Sequence, residues 1–136
     1  MLILKKEFLD KIIAQARKEF PNEACGILAG KDGKVKRVYE MRNTDASPST
    51  FLMEPKEQLK AMKEIRNSGI EMIGIYHSHV ASPAYPSARD VELAFYPEVS
   101  YAIISLQDKK LPVVRSFKIE GGKIKEEGVR IDGKDL

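Results

Sequence analysis

The chain has 136 residues, 43% of them hydrophobic, with 23 Lys and Arg against 20 Asp and Glu for a formal charge of +3. That length accommodates one ordinary domain over residues 1–136, because two would each bury too little core, and the apolar share excludes disordered and collagen-like classes. No apolar run approaches the roughly 18 residues that a membrane span needs, and the opening Met-Leu-Ile-Leu-Lys-Lys lacks a signal-peptide pattern, so a cytoplasmic protein with no membrane partner is expected. One cysteine, Cys25, excludes an intrachain disulfide. The densest basic cluster, Lys31, Lys34, Lys36 and Arg37, surrounds a glycine turn and reads as a solvated hairpin. No aromatics interleave with it, so nucleic acid is not an expected partner.

Residues 6–20 read as an amphipathic helix, with Phe8, Leu9, Ile12, Ile13, Ala16 and Phe20 at helical spacing and Pro21 as a stop. Residues 24–30 form an apolar run that suits a buried strand, Lys31-Asp32-Gly33-Lys34 a turn, and residues 35–41 the returning strand. Residues 43–49 are a polar loop, and residues 50–53 read as a further short strand. Pro55 suits a first helical position, Leu59, Met62 and Ile65 mark one face of that helix, and Ser68-Gly69 ends it. Residues 70–79 read as a central strand. A loop with Pro83 and Pro86 leads to a short helix over residues 87–95, stopped before Pro97. Strands are expected at 101–105 and 112–119, with Gly121-Gly122 turning into a returning strand over 123–130. This order gives an α/β domain with a mixed sheet flanked by helices.

The only two histidines are His77 and His79, at the end of the central strand. Residues i and i+2 of a strand face the same way, so both imidazoles can reach one point. Seven residues later comes Ser87, and then Asp90, at the start of the next helix. Two histidines and a carboxylate are a ligand set for catalytic zinc, with a fourth position left for water. Ser-x-x-Asp before an apolar run is equally a helix capping box, and Ser87 can serve both purposes. A metal hydrolase also needs a general base. Glu23, in Pro21-Asn22-Glu23-Ala24-Cys25-Gly26, is the candidate, the alternative being a solvated glutamate between helix and strand.

The series Glu23, His77-x-His79, seven residues, Ser87, two residues, Asp90 resembles the signature of the JAMM (MPN+) metalloproteases. These are zinc isopeptidases that cut at the C-terminus of ubiquitin or ubiquitin-like proteins. Asn22-Glu23-Ala24-Cys25-Gly26, Ala84-Tyr85-Pro86-Ser87, Ser49-Thr50-Phe51 and Glu57-Gln58-Leu59-Lys60 are similar to small prokaryotic members that act on sulfur-carrier proteins, one of which releases cysteine from a C-terminal Gly-Gly. The eukaryotic deubiquitinases carry Pro where this chain has Val80, and they have insertions that grip ubiquitin, which points away from ubiquitin as substrate.

The resemblance implies a cytidine-deaminase-like fold, one zinc per chain held by His77, His79 and Asp90, Glu23 as base and proton carrier, and Ser87 as hydrogen-bond donor to the developing oxyanion. It implies a ubiquitin-like sulfur-carrier protein with a C-terminal Gly-Gly as partner. The thin tail would add to a sheet edge near Phe51 or the His77 strand. Alternatives are an isopeptidase that removes such modifiers from lysine, a non-catalytic scaffold of the same fold, and a thiol hydrolase built on Cys25. A base deaminase would need a Cys-x-x-Cys pair, which one cysteine cannot supply.

Overall fold

In this computed structural model the described residues are 1–132. In chain order they form β1 (Leu2–Lys5), α1 (Lys6–Glu19), β2 (Cys25–Lys31), β3 (Lys34–Met41), α2 (Pro55–Asn67), β4 (Glu71–His79), α3 (Ala88–Glu92), β5 (Ser100–Ser105), β6 (Val113–Glu120), β7 (Lys123–Glu127) and β8 (Val129–Asp132). The strands make one mixed sheet in the order β7-β6-β5-β4-β2-β3-β1-β8. The hairpin between β2 and β3 turns on Asp32 and Gly33, both at positive φ, as a two-residue turn between twisted strands requires.

Alternate residues of the central strands feed two cores. Leu28, Tyr76 and Ile104 pack with Leu2, Leu4 and with Ile12 and Ala16 of α1. Ile27, Ile75 and Ile103 pack on the other face with Ala61 and Ile65 of α2 and with Phe117. The two longer helices therefore cover opposite faces of the sheet, as the element order implied.

β7 and β8 stand at opposite ends of the strand order, yet only Gly128 lies between them. Laid flat, eight strands would separate those edges by roughly 34 Å, far beyond the reach of three residues. The sheet therefore curls until its edges meet. One ribbon closes it, bonding β6 through 123–127 and β1 through 129–132.

One unassigned element is added here and three sequence expectations are corrected. The opening residues are a strand, β1, because Leu2 and Leu4 alternate into the core between β3 and β8. The expected strand over residues 50–53 is reduced to one bridge, Asn43 to Met53, because the Asn43 side chain spends its hydrogen bonds shaping that loop. The expected return over 123–130 breaks at Gly128, where the partner changes from β6 to β1. The helix expected over 87–95 covers only Ala88–Glu92, none of whose residues is fully buried, with Val91 partly buried against the core.

β4 is flanked by β2 on one side and β5 on the other, so it offers no free edge, contrary to the expectation for the His77 strand. β4 and β5 run parallel with α3 in the connection between them. The carboxyl end of such strands is where open α/β sheets hold ligands, and β4 ends on His79.

Candidate active site

His77 and His79 leave β4 on the same face, with their Nε2 atoms 3.1 Å apart. Asp90, in the first turn of α3, brings Oδ2 to 3.1 Å from His77 Nε2 and 3.0 Å from His79 Nε2. Three donor atoms thus form a nearly equilateral triangle. Ligands on a tetrahedral zinc at 2.0–2.1 Å lie about 3.4 Å from one another, so a small outward movement of the three atoms accommodates the ion. Among the described residues this is the one group of His, Cys, Asp and Glu with metal-binding geometry.

The surrounding bonds orient each member. His79 Nδ1 donates to the Pro83 carbonyl at 2.9 Å, the usual second hydrogen bond of a metal-ligating imidazole, so a cation that displaces the Nε2 proton meets a lone pair facing the triangle. The Phe51 ring stacks on His77 with centroids 4.7 Å apart. Asp90 Oδ2 also accepts the Ser87 N–H at 2.9 Å, while Ser87 Oγ accepts the Asp90 N–H at 3.1 Å. The capping box is therefore real, and it does not exhaust Ser87. The cap uses a lone pair on Oγ and leaves the hydroxyl hydrogen free to donate.

Burial opposes ionisation of Asp90, yet the bonds from His77, His79 and Ser87 together hold its carboxyl well below the usual carboxylate range. Burial pushes His77 below the ordinary imidazole value. At His79 the bonds to Asp90 and Pro83 overcome burial and raise it. A carboxylate beside two convergent imidazole nitrogens is a donor set that suits a divalent cation of borderline softness.

Glu23 is only 5% exposed. Burial drives its carboxyl up to about 7, with His79 and Arg89 pulling it down and Asp90 pushing it up. It sits just before β2, whose residue Cys25 pairs with His77 across the sheet. Its main chain is tied at both ends: Glu23 N–H donates to the Ser47 carbonyl at 2.9 Å, and its carbonyl accepts Asn43 Nδ2 at 3.0 Å.

Sequence reasoning passed over Asn43. Its Nδ2 also donates to the Thr50 carbonyl, and its Oδ1 accepts the N–H groups of Asp45 and Leu52, all at 3.0 Å. A buried amide with every donor and acceptor used joins the Glu23 segment to the loop that carries Phe51. The bond from Oδ1 to residue i+2 is an Asx turn, and Asn-Thr-Asp was its only sequence signal. Phe51 was also missed as a neighbour of His77, since no local pattern places it there.

Cys25 is buried, and its thiol is pushed up to about 12 by burial and by nearby carboxylates, Glu23 first among them. It therefore lacks the thiolate that a nucleophile requires, and the thiol-hydrolase alternative loses its support. A cavity of about 260 Å³ opens beside His77 and Asp90, walled by Phe51, Leu52, Met53, Leu93, Phe95 and Tyr101 among others.

Comparison with known proteins places this geometry. Residues 5–120 match the family of prokaryotic homologs of the JAB domain. The chain is 35% identical over 133 residues to a CysO-cysteine peptidase of Mycobacterium tuberculosis, covering 96% of this chain and 91% of that protein. It is 46% identical over 70 residues to a desampylase of Pyrococcus furiosus, covering 52% of this chain and 50% of the other. A Desulfitobacterium hafniense protein of known solution structure superposes with a TM-score of 0.88 at 44% identity, covering 98% of this chain and 94% of that one. A sheet curled between two helices, a metal-competent triangle at the end of its central strand and these similarities together make the chain a member of the JAMM/MPN family, in its prokaryotic JAB branch.

Proposed function

We propose that the protein is a zinc-dependent peptidase that hydrolyses the amide joining the C-terminal Gly-Gly of a ubiquitin-like sulfur-carrier protein to the group it bears. The observation that carries this reading is the triangle of His77 Nε2, His79 Nε2 and Asp90 Oδ2, with sides of 3.0–3.1 Å, in a protein similar along most of its length to a CysO-cysteine peptidase. One ion per chain fits that triangle.

When bound, zinc supplies Lewis acidity, which acidifies water and polarises a carbonyl. Glu23 takes the proton of the attacking water and passes it to the leaving amine as the C–N bond breaks, leaving a carboxylic acid on the carrier and a free amine on the released group. In the metal-free fold burial lifts that carboxyl to about 7, a range in which it can both accept and return a proton. Ser87 donates its free hydroxyl hydrogen to the carbonyl oxygen as negative charge develops there. Cys25 takes no part.

The carrier tail has a place to lie. Thr50, Leu52 and Glu54 use their backbone hydrogen bonds toward residues 42–44. Among the described residues the main-chain groups of Phe51 and Met53 make no backbone–backbone hydrogen bond, although Met53 faces Asn43 in the bridge, and both residues line the cavity with His77. This alternation leaves one side of the segment without main-chain bonds, and an extended Gly-Gly tail can pair with it where larger residues would collide with Phe51.

Similarity to a desampylase supports a second reading, in which the same chemistry frees the carrier from a lysine side chain. Mass spectrometry separates the two: the zinc-loaded protein is incubated with carriers ending in Gly-Gly that bear either cysteine or a lysine-linked protein. Loss of cleavage on chelation and its return with zinc are expected. A protein that neither binds zinc nor cleaves either conjugate overturns both readings and leaves a binding module.

A further inference from the structure

Among the described residues Arg89 is the one lysine or arginine in the wall of the cavity beside His77 and Asp90. Its place there follows from α3, which presents Asp90 to the histidines and Arg89 one residue earlier to the cavity mouth. Among the described residues it makes no ion pair. A guanidinium offers five donors in a rigid fork that matches a carboxylate in two-pronged fashion, and a fork left unpaired in a mostly apolar cavity is available to a ligand. Its positive charge is also felt at Glu23.

What departs differs between the two readings above. An α-amino acid joined through its α-amine carries a free carboxylate on the very next carbon. A lysine side chain joined through its ε-amine carries none, because its own carboxyl lies several bonds away and is tied up in a peptide. We propose that Arg89 is a specificity-determining residue that pairs with the free α-carboxylate of an amino-acid leaving group, so that carriers extended by one amino acid are favoured over carriers joined to lysine side chains. This assignment rests on the peptidase reading of the same site.

The test uses the zinc-loaded protein and CysO extended at its C-terminus by one cysteine, either as the free acid or as the carboxamide. The native protein is expected to favour the acid in kcat/KM by about tenfold or more, the range of a charge-assisted bond. In Arg89→Met, whose apolar stem is kept at an exposed position, the acid-to-amide ratio falls to about one, and Arg89→Lys recovers part of it. The same pair is titrated against Glu23→Gln, which binds without turnover, so that the ratio is also read as affinity. Equal cleavage of acid and amide by the native protein, or a preference that survives Arg89→Met, overturns the assignment and leaves the peptidase reading standing. Cleavage of neither carrier overturns both.

Discussion

Ala24 and Ser78 hold each other by two hydrogen bonds: the Ala24 N–H donates to Ser78 Oγ at 2.7 Å, and the Ser78 N–H donates to the Ala24 carbonyl at 3.0 Å. Ala24 follows Glu23, and Ser78 stands between His77 and His79. This exchange sets where the carboxylate lies relative to the two imidazoles. Both residues are buried, so in Ser78→Ala the Ala24 N–H loses its partner in a dry place, at a cost of roughly 1–3 kcal/mol. The expected result is a lower denaturation midpoint, unchanged zinc stoichiometry and reduced turnover. Full turnover would show that Glu23 is placed by other bonds, those to Asn43 and Ser47 foremost.

Glu23 makes a pH prediction for the metal-free protein. In the fold its carboxyl keeps its proton up to about pH 7, against an ordinary 4.5, chiefly because burial disfavours the charge. Between those values the folded chain binds more protons than the unfolded one, so stability falls as pH rises and levels off above about 7. Glu23→Gln mimics the protonated form. Its denaturation midpoint should equal that of the native chain below pH 4.5 and exceed it at pH 8, while turnover of the zinc-loaded variant drops by roughly 10²–10⁴-fold with zinc retained. A variant less stable at pH 8 would mean that the ionised carboxylate has a partner that offsets its burial.

Ser87 separates a cap from a catalytic donor. Ser87→Ala loses the N-cap acceptor, at about 1 kcal/mol, whereas Ser87→Gly loses only a few tenths. Neither has a hydroxyl. Should the hydroxyl serve the oxyanion, both lose roughly 10²–10³ in kcat despite their different melting temperatures. A rate that instead follows stability, with Ser87→Gly close to native, assigns Ser87 to the cap alone. Asp90→Ala removes both a capping partner and a vertex of the triangle, so it should lose zinc as well as stability.

How much of this site could be read from the chain depends on sequence distance. His77, His79, Ser87 and Asp90 lie within one strand, loop and helix start, so local periodicity and capping rules place them together. Glu23 meets them only through the antiparallel register of β2 on β4, which no spacing reveals, so its local sequence made it a candidate but left a solvated glutamate equally open. Asn43, Phe51 and Arg89 carry no pattern of their own: an Asx turn, a ring and a charge become neighbours of the site only after the loop over residues 43–54 and α3 are folded against β4. The sheet was legible strand by strand but not in its closure. Gly128 looks like an ordinary residue in a polar strand until β1 is known to wait on the far edge.

Gly26 supports the site from behind. A Cβ there would stand 2.3 Å from the Tyr76 ring, and the ring has nowhere to go. Its hydroxyl donates to Gln15 Oε1 at 2.6 Å, and Gln15 Nε2 donates to the Cys25 carbonyl at 3.0 Å, all within the buried layer under α1. Gly26→Ala must therefore displace the ring and break a buried bond, or push β2 away from β4 and carry Glu23 with it. Overpacking of this kind costs roughly 1–3 kcal/mol, and the lost bond adds to it. Tyr76→Leu alone also destabilises, through lost packing and an orphaned Gln15. Combined, the two changes should cost less than their sum, because the smaller side chain makes room for the methyl group, and a double-mutant cycle in urea reads that coupling directly. Simple additivity would mean that Gly26 is needed for its backbone rather than for the space it leaves to Tyr76.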